Sequence, residues 1–260
     1  MNHIGLTNEN EFYSDHYLSE IFAGDIRGVL EAWQQQEDAA REAAKAKGQG
    51  ASQYSGYRTP AAQLAGLARD LLQRIEAAER QRQPQERLNA VRAVSRRLLE
   101  AFDLPAQPRV HTLEDGTPLP LLGALNAADG SPLLWLVEAL PGIDEEADSD
   151  PLTFTVQPEQ TPDADPGKPS EKPPEWQKLL GSHIFSQANP PRWVLLIAPR
   201  QWLLLDRAKF GQHRLLRFDW VELLSRRETD TLKAVSVLLH KESLLGEQGQ
   251  SLLDTLDENA

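Results

Sequence analysis

Apolar positions change their period along the chain, and the changes divide it into elements. Leu18, Phe22, Ile26, Val29 and Trp33 recur at helical spacing behind Ser14, a residue suited to cap a helix. Gly24-Asp25 interrupts that stripe, Gly as a natural end and Asp as a natural start, so the spacing predicts one helix or two meeting at a corner. A polar run over 34–47 carries the helix into solvent, and 48–57 reads as a loop. Thr59-Pro60 is a cap followed by proline in the first turn, and Leu64, Leu67, Leu71, Ile75 and Ala78 form the apolar face that follows. Pro84 opens another helix, with Leu88, Val91, Val94, Leu98 and Phe102 inward and Arg92 and Arg96 together on the other side.

Beyond Pro105 the period shortens. Runs at 119–127 and 133–140 read as strands joined across Asp129-Gly130, a hairpin signal, and 193–198 and 201–206 read as a second hairpin around Pro199-Arg200. A further strand is expected at 214–218. Helices are expected near Trp176, behind Asp219 as a cap, over 228–240 and over 249–256. Asp144, Glu145, Glu146, Asp148 and Asp150 form an acidic tract, and 157–174 carries six prolines, so 142–174 reads as a flexible insertion that cannot offset its ordering entropy. The expected fold class is α+β, with a helical region over 1–82 and a mixed α/β core over 83–260.

Composition narrows the function classes. The 260 residues are 40% apolar and 25% charged, enough for a sizeable core. With no Cys, a disulfide framework and a Cys-ligated zinc or iron–sulfur site are excluded. No run approaches 18 apolar residues and no signal-peptide pattern opens the chain, so a soluble cytoplasmic protein without a membrane partner is expected. The net charge of −12 argues against a surface built throughout to coat nucleic acid. It is unevenly spread: residues 1–40 hold one Arg against eight acids, whereas residues 41–105 hold twelve basic against seven acidic residues. Any DNA contact is therefore expected through Arg87, Arg92, Arg96 and Arg97, with Arg69 and Arg74 as lesser candidates, provided that they converge. Solvated helix faces are the plainer alternative.

From Pro84 onward the order helix, strand, strand, insertion, helix, strand, strand matches the core of PD-(D/E)XK nucleases, if a third strand lies at 152–156. Such enzymes hold Mg²⁺ on an Asp and an E-x-K triplet. The triplet position here reads Glu138-Ala139-Leu140, with Leu140 where the ammonium belongs. Cleavage then requires Glu114, Asp115 and Asp129 to converge with Glu138. Otherwise the core is degenerate, without a catalytic residue, and Glu138 is a strand-end surface residue. Asn189-Pro190-Pro191-Arg192 is compared with the N-P-P-aromatic motif of adenine methyltransferases, but Arg192 replaces the aromatic and the segment precedes its strand, as a strand-entry turn does. The six histidines lack metal-ligand spacing, and no nucleophile elbow or phosphate loop is present, so neither metal nor cofactor is expected in this chain.

Several stretches carry a family resemblance. Asn8-Glu9-Asn10-Glu11-Phe12-Tyr13-Ser14, with His16-Tyr17-Leu18 and Ile21-Phe22, resembles the opening of large type IIG-like restriction-modification adenine methylases of bacterial phage-defence loci, including the DISARM-type methyltransferase. The stretches Pro191-Arg192-Trp193 to Leu205-Asp206-Arg207, Phe218-Asp219, Leu239-His240-Lys241-Glu242-Ser243 and Leu253-Asp254-Thr255-Leu256-Asp257-Glu258-Asn259 are similar to the same proteins. The resemblance spans most of the chain outside 34–58 and 142–174. It implies an amino-terminal region preceding a methyltransferase domain, with S-adenosylmethionine-dependent N6-adenine methylation in the parent protein. The expected role is a non-catalytic module docking DNA, the remainder of the methyltransferase or other defence subunits. The alternatives are a metal-dependent DNA nuclease and a pure protein-interaction module. Convergence of the arginines or of the carboxylates distinguishes them.

Overall fold

The structure is a computed structural model describing residues 3–48, 50, 54–146, 148–162, 173–246 and 250–260. Among them, strands β1 (Leu6–Glu9), β2 (Arg109–Thr112), β3 (Pro118–Asn126), β4 (Pro132–Glu138), β5 (Trp193–Ile197), β6 (Gln201–Asp206) and β7 (Leu215–Asp219) form one open mixed sheet in the order β1-β7-β6-β5-β4-β3-β2. All neighbours are antiparallel except β4 and β5. The described helices are α1 (Phe22–Asp25), α2 (Arg27–Ala46), α3 (Pro60–Arg80), α4 (Pro84–Ala101), α5 (Trp176–Leu179), α6 (Arg207–Phe210), α7 (Trp220–Arg226), α8 (Thr229–Leu239), α9 (Lys241–Leu244) and α10 (Leu252–Asn259). The fold is thus mixed α+β. No helix among the described residues is long and apolar enough to cross a membrane.

The central strands are apolar at nearly every position because both faces of the sheet are covered. Trp193, Leu195, Ile197, Trp202 and Leu204 face the larger core, which α3, α4 and α8 complete through Leu64, Leu71, Leu98 and Val235. Val194, Leu196, Leu203 and Leu205 face a second core closed by Trp176, Leu179 and Phe154. Local signals fix the helix starts. Thr59 Oγ1 accepts from the Ala62 amide (3.3 Å) ahead of Pro60, and Asp219 Oδ1 accepts from the Glu222 amide (3.0 Å). The first stripe is split into a π-helical turn (Tyr17–Ile21), α1 and α2, with Ile26 between the last two.

Four-residue β1 was not expected from the pattern. It pairs with β7 in the register Leu6↔Phe218, and Asn10 and Glu11, both at positive φ, then turn the chain away. Residues on both sides of the expected boundary after 82 accordingly share one sheet and one core.

The expected insertion needs correcting. Pro151–Thr153 and Pro158–Gln160 are 3₁₀ turns, and Phe154 and Gln160 are buried. The strand expected at 152–156 is one such turn, with a single bridge from Thr155 to Glu175. Asp150 Oδ1 accepts from the Leu152 amide (3.1 Å), and the Phe154 carbonyl accepts from the Trp176 amide (2.8 Å). A few anchors therefore order 150–161 as a strap, an effect that average composition conceals. Residue 147 and residues 163–172 of the expected insertion lie outside the described residues.

Candidate functional site

Glu138 ends β4 and is 1% exposed, which corrects the expectation of a surface residue. Arg92 of α4 donates to both carboxylate oxygens, from Nε to Oε1 (2.9 Å) and from Nη2 to Oε2 (2.8 Å). Gln160 Nε2 adds a bond to the Glu138 carbonyl (2.8 Å) and a longer one to Oε2 (3.2 Å). A buried carboxylate needs such partners, and this one has a bidentate guanidinium. Leu140 is fully buried against Ala78, Leu88 and Val91, so the position of a nuclease ammonium is packed apolar core. Arg87 Nη1 donates to the Pro141 carbonyl (2.8 Å), and burial holds its guanidinium below its ordinary pKa.

The other carboxylates stay apart from this site. Glu114 accepts from the Ala188 amide (3.2 Å), and Asp129 accepts from the Ser131 amide within the hairpin turn (2.9 Å). Asp115 lies 2.5 Å from His183 Nδ1, and this bond with those from Thr117 holds its carboxyl down to about 2. Among the described residues no group of three His, Asp or Glu side chains is placed to hold a metal.

The six arginines differ in what they meet. Arg87 and Arg92 turn inward beside the Leu88 and Val91 stripe; Arg74 and Arg97 share Asp70 at 2.8 and 3.8 Å; Arg96 is exposed. Arg69 joins Arg227, Leu72 and Leu224 around a groove of about 260 Å³ between α3 and α7. The missed signal was a single carboxylate ending the apolar run Leu-Leu-Trp-Leu-Val-Glu, which demands a cation once both sheet faces are covered.

A second polar gathering joins the resembling stretches. Arg192, entering β5, meets Asp254 of α10, lies 3.9 Å from Asp206 and stacks 4.7 Å over Trp193. Lys209 Nζ of α6 donates to Asp257 (2.5 Å) and to the Phe12 carbonyl (2.8 Å). Asp206 caps α6 through the Ala208 amide (2.8 Å), and burial raises its carboxyl pKa. The Tyr13 hydroxyl is buried without a hydrogen-bond partner, and burial followed by Asp257 pushes its pKa well up. Stretches 8–14, 191–193, 205–207 and 253–259 thus meet as a clasp holding α10 and the amino-terminal loop. Pro190 gives its carbonyl to Arg207 Nη1 (3.2 Å), and Arg192 is committed to acids, so this segment does not fit a pocket for a flipped base.

Two larger hollows flank the amino-terminal segment. One, of about 770 Å³, runs beside β1, with Ile4, Asp15, Leu18, Leu216 and Leu238 among its walls. The other, of about 500 Å³, lies between α2 and α8 over Ile26, Leu30 and Ala234. Comparison with known protein families, curated proteins and solved structures finds no match to the chain.

Proposed function

We propose that this chain is a non-catalytic docking module of a bacterial DNA adenine methyltransferase in restriction-modification phage defence, binding the rest of that enzyme or another defence subunit. The observation that carries this reading is the closed Arg92–Glu138–Gln160 network, with Leu140 sealed beside it. The carboxylate a nuclease would commit to a metal is spent on a guanidinium. The order α4, β2, β3, β4, α5, β5 supports a degenerate PD-(D/E)XK-like core, with β2, and not 152–156, as the further strand. Four of the resembling stretches, 8–14, 191–193, 205–207 and 253–259, meet at one clasp, and the resemblance they carry supports the link to the methylases. S-adenosylmethionine belongs, on this reading, to the parent enzyme.

Docking to DNA is the second reading, favoured by Arg69 and Arg227 lining one groove. Each phosphate contact contributes about −0.9 to the slope of log affinity against log salt, so Arg69→Ala with Arg227→Ala should flatten that slope where the groove meets DNA.

The test pairs the purified chain with a deletion in the host. The chain alone should neither bind S-adenosylmethionine in calorimetry nor cleave DNA with Mg²⁺ or Mn²⁺. Its deletion should abolish or diminish genomic N6-methyladenine. Micromolar methyl-donor binding, metal-dependent cleavage, or an unchanged methylation pattern overturns the proposal.

A further inference from the structure

We infer that the outer edge of β1 accepts an extended, basic peptide segment of a partner protein as an eighth strand, an inference that rests on the docking reading. β1 is a terminal strand, hydrogen-bonded only to β7 among the described residues. The Asp219 amide donates to the Gly5 carbonyl (2.7 Å), and the Trp220 amide donates to the Arg200 carbonyl (2.8 Å) on the other side of β7. Antiparallel alternation then directs the main-chain groups of Thr7 and Glu9 to β7 and those of Leu6 and Asn8 outward. The Leu6 amide is taken by the His3 carbonyl (3.0 Å). The Leu6 carbonyl and both main-chain groups of Asn8 are left pointing away from β7, on residues that line the 770 Å³ hollow.

The two sheet edges are protected differently. Edge strands are commonly blunted by proline and by charged side chains. At the far edge Pro108 and Arg109 supply both devices, whereas β1 has no proline and its one charge, Glu9, is tied to Arg217 of β7. Beside it Ile4 is one of three large apolar side chains exposed on the described surface. Ile4 and half-buried Leu18 give the hollow its accessible apolar surface, and exposed Asp15 and His16 also line it, while Leu216 and Leu238 beneath are buried. A strand with alternate apolar and basic side chains matches this arrangement, laying the apolar ones on Ile4 and Leu18 and the basic ones toward Asp15. A second copy of this chain, adding its own Leu-Thr-Asn-Glu strand, would bring no basic side chain to Asp15.

The test uses the full chain and fluorescent peptides of alternating Val and Lys, alternating Val and Glu, and the Lys peptide interrupted by proline. The Lys peptide should bind in anisotropy, weaken with added salt, and slow hydrogen exchange at the Asn8 amide. Asp15→Lys, on an exposed side chain, should weaken it about fivefold, the scale of an exposed ion pair turned repulsive. The proline and Glu peptides should not bind. No binding at low salt, binding without protection of Asn8, or equal binding of the proline peptide overturns the inference. So does dimerisation that protects Asn8 without peptide. Loss of N6-methyladenine on deletion, combined with peptide failure, removes strand addition and leaves docking in place.

Discussion

Arg92 and Glu138 carried the two sharpest expectations from the sequence, a phosphate contact and a relic metal ligand, and the structure joins them to each other. Such a pair stabilises chiefly by avoiding the cost of either charge alone. Arg92→Ala should therefore destabilise the fold by about 3–5 kcal/mol in urea unfolding, since it strands a carboxylate 1% exposed. Arg92→Met with Glu138→Leu should restore most of that loss, because apolar replacement of both partners removes the uncompensated charge. A loss under about 1 kcal/mol in the single variant means that water reaches Glu138 readily. One sequence cannot show which face of an arginine-bearing helix will meet a strand end. Arg92 follows Val91 directly, at the margin of the apolar stripe, and only tertiary packing decides its side.

At the scale of elements, the caps were readable and the sheet edges were not. Ser14, Thr59, Pro84 and Asp219 mark helix starts with chemistry confined to a few neighbouring residues. β1 and β2 span four residues each, too short for a period to register, and β1 finds its partner some 208 residues away. His240 shows a cap with a pH dependence. Its Nδ1 accepts from the Glu242 amide (3.3 Å) at the start of α9, and its ring packs 4.7 Å from that of Trp33. Burial lowers its pKa below the ordinary 6.5, overcoming the opposing pull of Glu242 and Asp103. The unfolded chain then binds the proton more readily than the folded one. The stability from this site is present above pH 6.5 and is lost as pH falls through the folded value. Thermal midpoints should decline from pH 7 toward pH 5, and His240→Asn, which keeps a cap, should flatten part of that decline. An equally steep profile in the variant assigns it to other groups, His3 first, whose pKa burial also lowers.

Across the whole molecule, the sheet carries a core on each face, and the lesser one depends on a segment whose composition suggested no structure. The hydrophobic runs of β4, β5 and β6 already imply cover on both sides, but nothing in the acidic, proline-rich stretch announces that Phe154 supplies part of it. Phe154→Ala should cost about 3–4 kcal/mol, as a buried phenyl ring does, with faster hydrogen exchange at the Trp176 amide that its carbonyl receives. A flexible insertion predicts no change in either measurement. β1 has a different consequence, one concerning time. The strand nearest the amino terminus pairs only with β7, so its edge of the sheet stays open while the intervening chain is being synthesised. A ribosome adding about 5–20 residues per second leaves Leu6–Glu9 waiting on the order of ten seconds or more, with its apolar neighbours available to chaperones. Of the seven described strands, the one made first is among the last to be seated.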